Sequence, residues 1–152
     1  MLKNVEISYK VDESQKMLQK PYEKLKFYQD ICHIRILVVE MTLKFNKTNI
    51  RLISQMRDAA RSAKQNIREG YLKGSLGEFK HSIRISQGSL EELSGDIEDC
   101  LQDKLISKDE FEKFQQLYKS AMYMSTQYMK AMAQDRNIKS WRVPFKEKPK
   151  AT

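Results

Sequence analysis

Along four stretches of the chain, apolar residues recur at alternating steps of four and three, the spacing that keeps one face of a helix against its neighbours. In the first stretch the positions are Phe27, Ile31, Ile34, Val38, Met41 and Phe45, which predicts a helix over about 22–45. Residues 46–49 break the pattern, and Ile53, Met56, Ala60, Ala63 and Ile67 resume it, predicting a second helix over about 49–70 with Gly70 as its C-terminal turn. The third seam runs Phe79, Ile83, Ser86, Leu90, Leu93, Ile97, Cys100. It is preceded by Ser75-Leu76-Gly77-Glu78, a capping box in which hydroxyl and carboxylate satisfy backbone N–H groups that the helix leaves without partners. A second box, Ser107-Lys108-Asp109-Glu110, opens the fourth helix, with Ile106 and Phe111 spaced as a hydrophobic staple. Phe111, Phe114, Tyr118, Ala121, Ser125, Tyr128 and Met132 form its seam.

Short connections between long helices favour antiparallel neighbours, so the pattern predicts an all-α, up-down-up-down four-helix bundle over 22–135. An N-terminal extension (1–21) and a basic C-terminal tail (136–152) flank it. Val5, Ile7, Tyr9 and Val11, and Trp141, Val143 and Phe145, alternate at strand spacing, although Pro144 would confine the second set to an edge. Either set also fits a frayed end, and Trp141 could dock the tail on the bundle or stack on a base. The first helix carries more apolar residues than one seam uses, because Ile36, Leu37, Val38 and Val39 point to four sides of the cylinder. A helix apolar nearly all round is buried nearly all round, which predicts a subunit interface along it.

Composition agrees with a single helical domain. Of 152 residues, 40% are hydrophobic and 32% charged, with 5 Gly and 3 Pro, which excludes collagen-like and Pro/Gly-rich classes. The first residues lack the apolar core of a secretory signal, and no run of about 18 apolar residues occurs, so a cytoplasmic protein without a membrane partner is expected. Cys32 and Cys100 fall inside apolar helical patterns and read as reduced, buried thiols.

Charge changes the picture more than composition does. The net charge is +8, but residues 44–84 hold ten Lys/Arg against three acidic residues, 91–112 hold nine acidic residues against two lysines, and 136–152 hold six basic residues against Glu147. Folded as a bundle, the start of helix one, the end of helix two, the start of helix three and the end of helix four share one pole. It gathers Lys20, Lys24, Lys26, Arg68, Lys73, Lys80, Arg84, Arg136 and the tail with Lys139 and Arg142. On helix two, Arg57, Arg61, Lys64 and Arg68 follow the seam one residue behind and form a continuous basic stripe about 100° from the core. Such a stripe suits phosphate binding by counterion release without base reading. Alternatively, the stripe pairs with the acidic run 91–112 within the bundle or across a subunit interface.

Chemistry-bearing motifs are few. Asp30 with His33 and Glu78 with His81 have carboxylate-x-x-His spacing, as in di-iron bundles, but His81 is two residues beyond a seam position and no seam holds a Glu. No phosphate loop, His-Glu-x-x-His pair or nucleophile elbow occurs, so no catalytic residue, metal ligand or cofactor is assigned.

The run Gln55-Met56-Arg57-Asp58-Ala59-Ala60-Arg61-Ser62, then Asn66-Ile67-Arg68-Glu69-Gly70, Ser75 with Glu78-Phe79, and Gly88-Ser89-Leu90 with Glu92-Leu93 carries a resemblance. Over about 22–130 the chain resembles the bacterial four-helix bundle family encoded in intervening sequences of large-subunit ribosomal RNA genes, to which accessory variability proteins of diversity-generating retroelements are related. The resemblance implies a homopentameric ring with a positively charged surface and, for the retroelement branch, binding of nucleic acid and of a reverse transcriptase. The central motif is closer to the ribosomal-RNA branch. Its Asn66, Glu69, Gly70, Gly88 and Ser89 read as structural: Asn66 and Glu69 are placed to cap or cross-link the loop at Gly70, and Gly88, at a cost of about 1 kcal/mol of helix propensity, suggests close helix approach.

The expectation is thus a non-enzymatic, oligomeric accessory protein. It would bind RNA or DNA without sequence preference through the helix-two stripe and the basic pole. The alternative is an oligomeric scaffold for a protein partner such as a reverse transcriptase.

Overall fold

The structure, a computed structural model, describes residues 20–134. Four helices account for most of them: α1 (Lys26–Leu43), α2 (Ile50–Leu72), α3 (Leu76–Gln102) and α4 (Lys108–Gln134). Short 3-10 turns at Pro21–Lys24 and Lys47–Asn49 precede α1 and α2, and among the described residues there is no strand. The strand-like spacings near 5–11 and 141–145, and Trp141, lie outside the described residues.

Sequence spacing places the helices well and their first helical boundary less well. Instead of beginning near 22, α1 begins at Lys26, because Leu25 is extended (φ −70°, ψ 128°) and separates it from the Pro21–Lys24 turn. That turn is fastened locally: the Lys20 N–H donates to Glu23 Oε2 at 3.2 Å, and Gln29 Nε2 donates to the Glu23 carbonyl at 3.2 Å. The second capping box forms in full, whereas at the first the Glu78 carboxylate accepts from the Ser75 hydroxyl (3.1 Å) in place of the Ser75 backbone N–H. Glu78 N–H donates to Ser75 Oγ at 3.2 Å, and at α4 the bonding is reciprocal, Glu110 N–H to Ser107 Oγ and Ser107 N–H to Glu110 Oε1, each 3.1 Å. Ile106 is buried and Phe111 packs on the core, the placement a staple requires.

Gly70 does not end α2. The helix continues to Leu72, and the turn comes from Gly74 at φ 84°. Gly70 is buried against α3, where an added Cβ would stand 2.2 Å from the Ser82 Cβ. Glycine is required there by close approach, not by a left-handed backbone. Gly88, expected to mark such an approach, faces open space, with nothing within 4 Å of an added Cβ. A glycine inside a helix signals close packing only where a neighbouring helix lies over it.

All seven α3 seam residues are buried, as are Phe27, Ile31, Ile34, Val38 and Met41 of α1 and Met56, Ala60, Ala63 and Ile67 of α2. Each large apolar side chain so enclosed contributes about 1.5–3 kcal/mol relative to exposure. The two cysteines are free and buried. On α1, Leu37 and Val38 are covered by the chain itself and Ile36 and Val39 are half-buried, so less of that helix is left uncovered than its composition suggests. What does stay outside is Leu43, 71% exposed, and after it Ile50, 62% exposed. No helix among the described residues is long and apolar enough to cross a membrane.

α1 packs against α2 and α4, and α3 does the same from the other side. The landmarks are specific. Lys44 just after α1 pairs with Glu110 in the first turn of α4 (2.8 Å), while Asp30 in the first half of α1 accepts from Ser120 Oγ (2.6 Å). Gln55 of α2 meets Asp96 of α3, and Ser62 meets Ser89 at 3.1 Å.

Candidate nucleic-acid interface

The α2 stripe exists because its seam is buried from Met56 to Ile67; Ile53, the first seam position read from the spacing, is only half-buried and stands outside the core. With Met56, Ala60, Ala63 and Ile67 all fully enclosed, the next residue in each case, Arg57, Arg61, Lys64 and Arg68, emerges on one flank of the helix. Arg61 and Arg68 are exposed, and Arg57 and Lys64 are half-buried. None of the four has a carboxylate within 4.0 Å among the described residues, so the pairing with 91–112 that the sequence left open does not occur inside the chain. Much of the acidic run stays in solvent: Glu91, Glu92, Glu98, Asp99 and Asp103 are exposed. Asp96 takes two 3.2 Å hydrogen bonds from Gln55 Nε2. Burial raises its pKa above the usual carboxylate value, aided by Asp99 and Glu92 and opposed by the Gln55 bond.

Arg57 differs from its companions. Its Nε donates to Thr42 Oγ1 at 2.9 Å, and that buried hydroxyl in turn donates to the Val38 carbonyl at 2.8 Å, so the guanidinium is tethered to α1. A stripe read from α2 alone gives no sign of this, because the partner is on another helix. Arg68, at the other end, lies near the Tyr22 phenol: burial raises the Tyr22 pKa, and the Arg68 charge opposes that rise.

The basic pole is assembled by aromatic rings. Tyr22 contacts Tyr71 (centroids 5.4 Å), Tyr71 contacts Phe79 (5.5 Å), and Phe79 and Phe27 each contact Tyr128 (5.9 and 5.5 Å). This chain of rings draws together the approach to α1, the end of α2, the start of α3 and the later part of α4. Lys24, Lys26, Arg68, Lys73 and Arg84 are exposed around it, and Lys20 and Lys80 are half-buried. Lys26 is paired with the fully buried Asp30, which also accepts from Ser120. Arg136, Lys139 and Arg142 lie outside the described residues.

The motif residues are structural in a different way from that expected. Asn66 does not reach the loop: its Nδ2 donates back to the Ser62 carbonyl (2.8 Å) and Ser62 Oγ (3.2 Å), because a short amide one turn on finds that carbonyl first. Ser62 bonds Ser89, and Ser86 Oγ donates to the Ala63 carbonyl at 2.7 Å, so hydroxyls lace α2 to α3. Glu69 is exposed and contributes its backbone carbonyl to the Lys73 N–H. His81 is exposed, as its phase predicts, and His33 is half-buried. Among the described residues no three His, Cys, Asp or Glu side chains are grouped to hold a metal ion.

A comparison with protein families matches residues 23–127 to the model described as 23S rRNA-intervening sequence protein, more than half of the chain and nearly the stretch that carries the motif resemblance. Among curated proteins, none matches.

Proposed function

The chain belongs to the 23S rRNA-intervening sequence protein family, and from that premise we propose a non-enzymatic, oligomeric protein that binds nucleic acid through the α2 stripe and the adjoining basic pole. The observation that carries the reading is a line of four cations on one flank of α2 with no carboxylate partner among the described residues. Uncompensated cations in a row attract a polyanion and release its counterions, and nothing in the row reads base edges. The family description, which names ribosomal RNA, favours RNA over DNA as the first ligand to test. Up-down-up-down packing is supported by the pairings of Lys44 with Glu110 and Asp30 with Ser120, and by those of Gln55 with Asp96 and Ser62 with Ser89. Exposed Leu43 and Ile50, beside half-buried Ile36 and Val39, favour self-assembly, for which the homopentamer implied by the family resemblance is the form to expect.

The test is RNA affinity as a function of ionic strength. Affinity should fall steeply between low and moderate salt, and Arg61→Glu with Arg68→Glu, both exposed, should abolish binding without changing the unfolding midpoint. Arg57 is left intact in that variant because its bond to Thr42 also holds two helices together.

A second reading, a scaffold for a protein partner such as a reverse transcriptase, draws on the exposed Leu43, Ile50 and, on α4, Tyr123 (64% exposed). Equal RNA behaviour of wild type and double variant would favour it, and solution mass by light scattering would report the assembly state.

A further inference from the structure

The α2 stripe has a counterpart on α1. The hydrogen bond from Arg57 to Thr42 fixes one level at which the facing sides of α1 and α2 meet. Seven residues make close to two helical turns, so seven steps back along α1 and seven forward along α2 stay on those facing sides. A second such step tests the register, because it reaches Tyr28 and Tyr71. Both rings contact Tyr22, at 5.2 and 5.4 Å, so the register holds from one end of the seam to the other. The first step, halfway between, reaches Arg35 and Lys64.

Arg35 is exposed and Lys64 half-buried, and neither has a carboxylate within ion-pair distance among the described residues. Packed helix axes stand about 8–10 Å apart, so this register sets the two cations opposite each other across a narrow seam, with no carboxylate ion-paired to either. One turn to either side of Lys64 on the same flank are Arg61 and Arg68, and the four α2 cations together span roughly 16 Å at the helical rise. An arrangement of like charges on two banks of a groove is unfavourable until an anion occupies it. Its open length fits a chain of phosphates better than one small anion.

We propose that Arg35 is a nucleic-acid-binding residue, and that it forms with Arg61, Lys64 and Arg68 a two-banked cradle in which one phosphate strand lies along the α1/α2 seam. Arg57, held by Thr42, closes one end of the cradle, and the Tyr22 ring closes the other. The inference rests on the nucleic-acid reading above and adds a second helix to it.

The experiment uses the full chain, a labelled single-stranded RNA of mixed sequence, and anisotropy titrations over a range of salt. Arg35→Gln is compared with wild type and with Lys119→Gln, which removes an exposed cation from α4, a helix not packed on α2. For Arg35→Gln the slope of log affinity against log salt should become shallower by about 0.7, the share of one phosphate contact on a single strand, with several-fold weaker binding at low salt. Lys119→Gln should keep the wild-type slope. An unchanged slope in Arg35→Gln, or an equal loss in Lys119→Gln, would overturn the cradle while leaving RNA binding intact. No salt-dependent binding by the wild type would instead remove the nucleic-acid reading on which it stands.

Discussion

Gly70 of α2 and Ser82 of α3 approach so closely that a methyl group on Gly70 would stand 2.2 Å from the Ser82 Cβ and 2.3 Å from its Oγ. In an open helix Gly→Ala is stabilising, by up to about 1 kcal/mol. At Gly70 the sign should reverse, because no side-chain rotation moves a Cβ and the helices must separate. Gly70→Ala is expected to cost about 1–3 kcal/mol, the usual range for overpacking. Ser82→Gly in the same chain should recover part of it. Gly88→Ala, at an exposed position with open space around it, should stabilise by about 0.5–1 kcal/mol. Urea unfolding midpoints of the three variants measure the contrast.

Lys104 is the one non-glycine residue with positive φ among those described, at 60°. It sits where α3 ends in a Schellman motif: the Leu105 N–H donates to the Cys100 carbonyl (2.9 Å) and the Lys104 N–H to that of Leu101 (3.1 Å). A side chain in the left-handed region costs about 1–2 kcal/mol, part of which a glycine's freer unfolded chain returns. Lys104→Gly should therefore raise the melting temperature, by about 2–4 °C if the net gain is near 1 kcal/mol. A lower melting temperature would mean the lysine makes a compensating contact.

Glu110 links stability to pH. Burial alone would raise its pKa, but the Lys44 hydrogen bond, the Ser107 backbone N–H, the Lys44 charge and the Ser107 hydroxyl together bring it below the ordinary value. A carboxyl whose folded pKa is depressed stabilises the fold above its unfolded pKa, about 4.3, and loses that contribution as pH falls through the folded value. Glu110→Gln should thus be more destabilising at pH 7 than at about pH 3, the difference shrinking as pH falls below about 4.3. Equal differences at both pH values would show that the pairing with Lys44 carries no net charge effect.

What could be read from sequence divides along a physical line. Nearly all seam positions, the Ser75 and Ser107 caps and the burial of Ile106 and Phe111 depend on spacing within one helix, and they stand where the spacing puts them, Ile53 excepted. Features that depend on which helix lies opposite were not legible. Gly70 and Gly88 look alike as glycines in helical surroundings, yet one meets Ser82 and the other meets nothing. Asn66 was expected to reach forward and instead bonds back to Ser62. Asp30, one residue before a seam position, is fully buried because Lys26 and Ser120 satisfy it from two helices. Thr42 and Arg35 acquire meaning only once α1 is laid beside α2. The cation stripe was legible on α2 because it tracks that helix's own seam; its second bank was not.

The two thiols offer a check on the core that needs no mutation. Cys32 and Cys100 are both buried, and Cys100 Sγ packs 3.7 Å from Met56 Sδ. Burial pushes the Cys100 thiol up to about 11, with the negative charges of Asp96, Asp103 and Asp99 adding to the effect. At pH 8 almost none of it is thiolate, the form that attacks a disulfide reagent, and the reagent has no path to the sulfur without opening the bundle. Native protein should therefore react slowly with a thiol-specific disulfide reagent, and two equivalents should appear promptly in denaturant. Because both sulfurs sit among seam residues, their exchange should follow core opening and slow in parallel with any stabilising substitution such as Gly88→Ala. Rapid stoichiometric labelling of the native chain at pH 8 would mean that α2 and α3 part far more easily than the packing around Met56 and Cys100 implies.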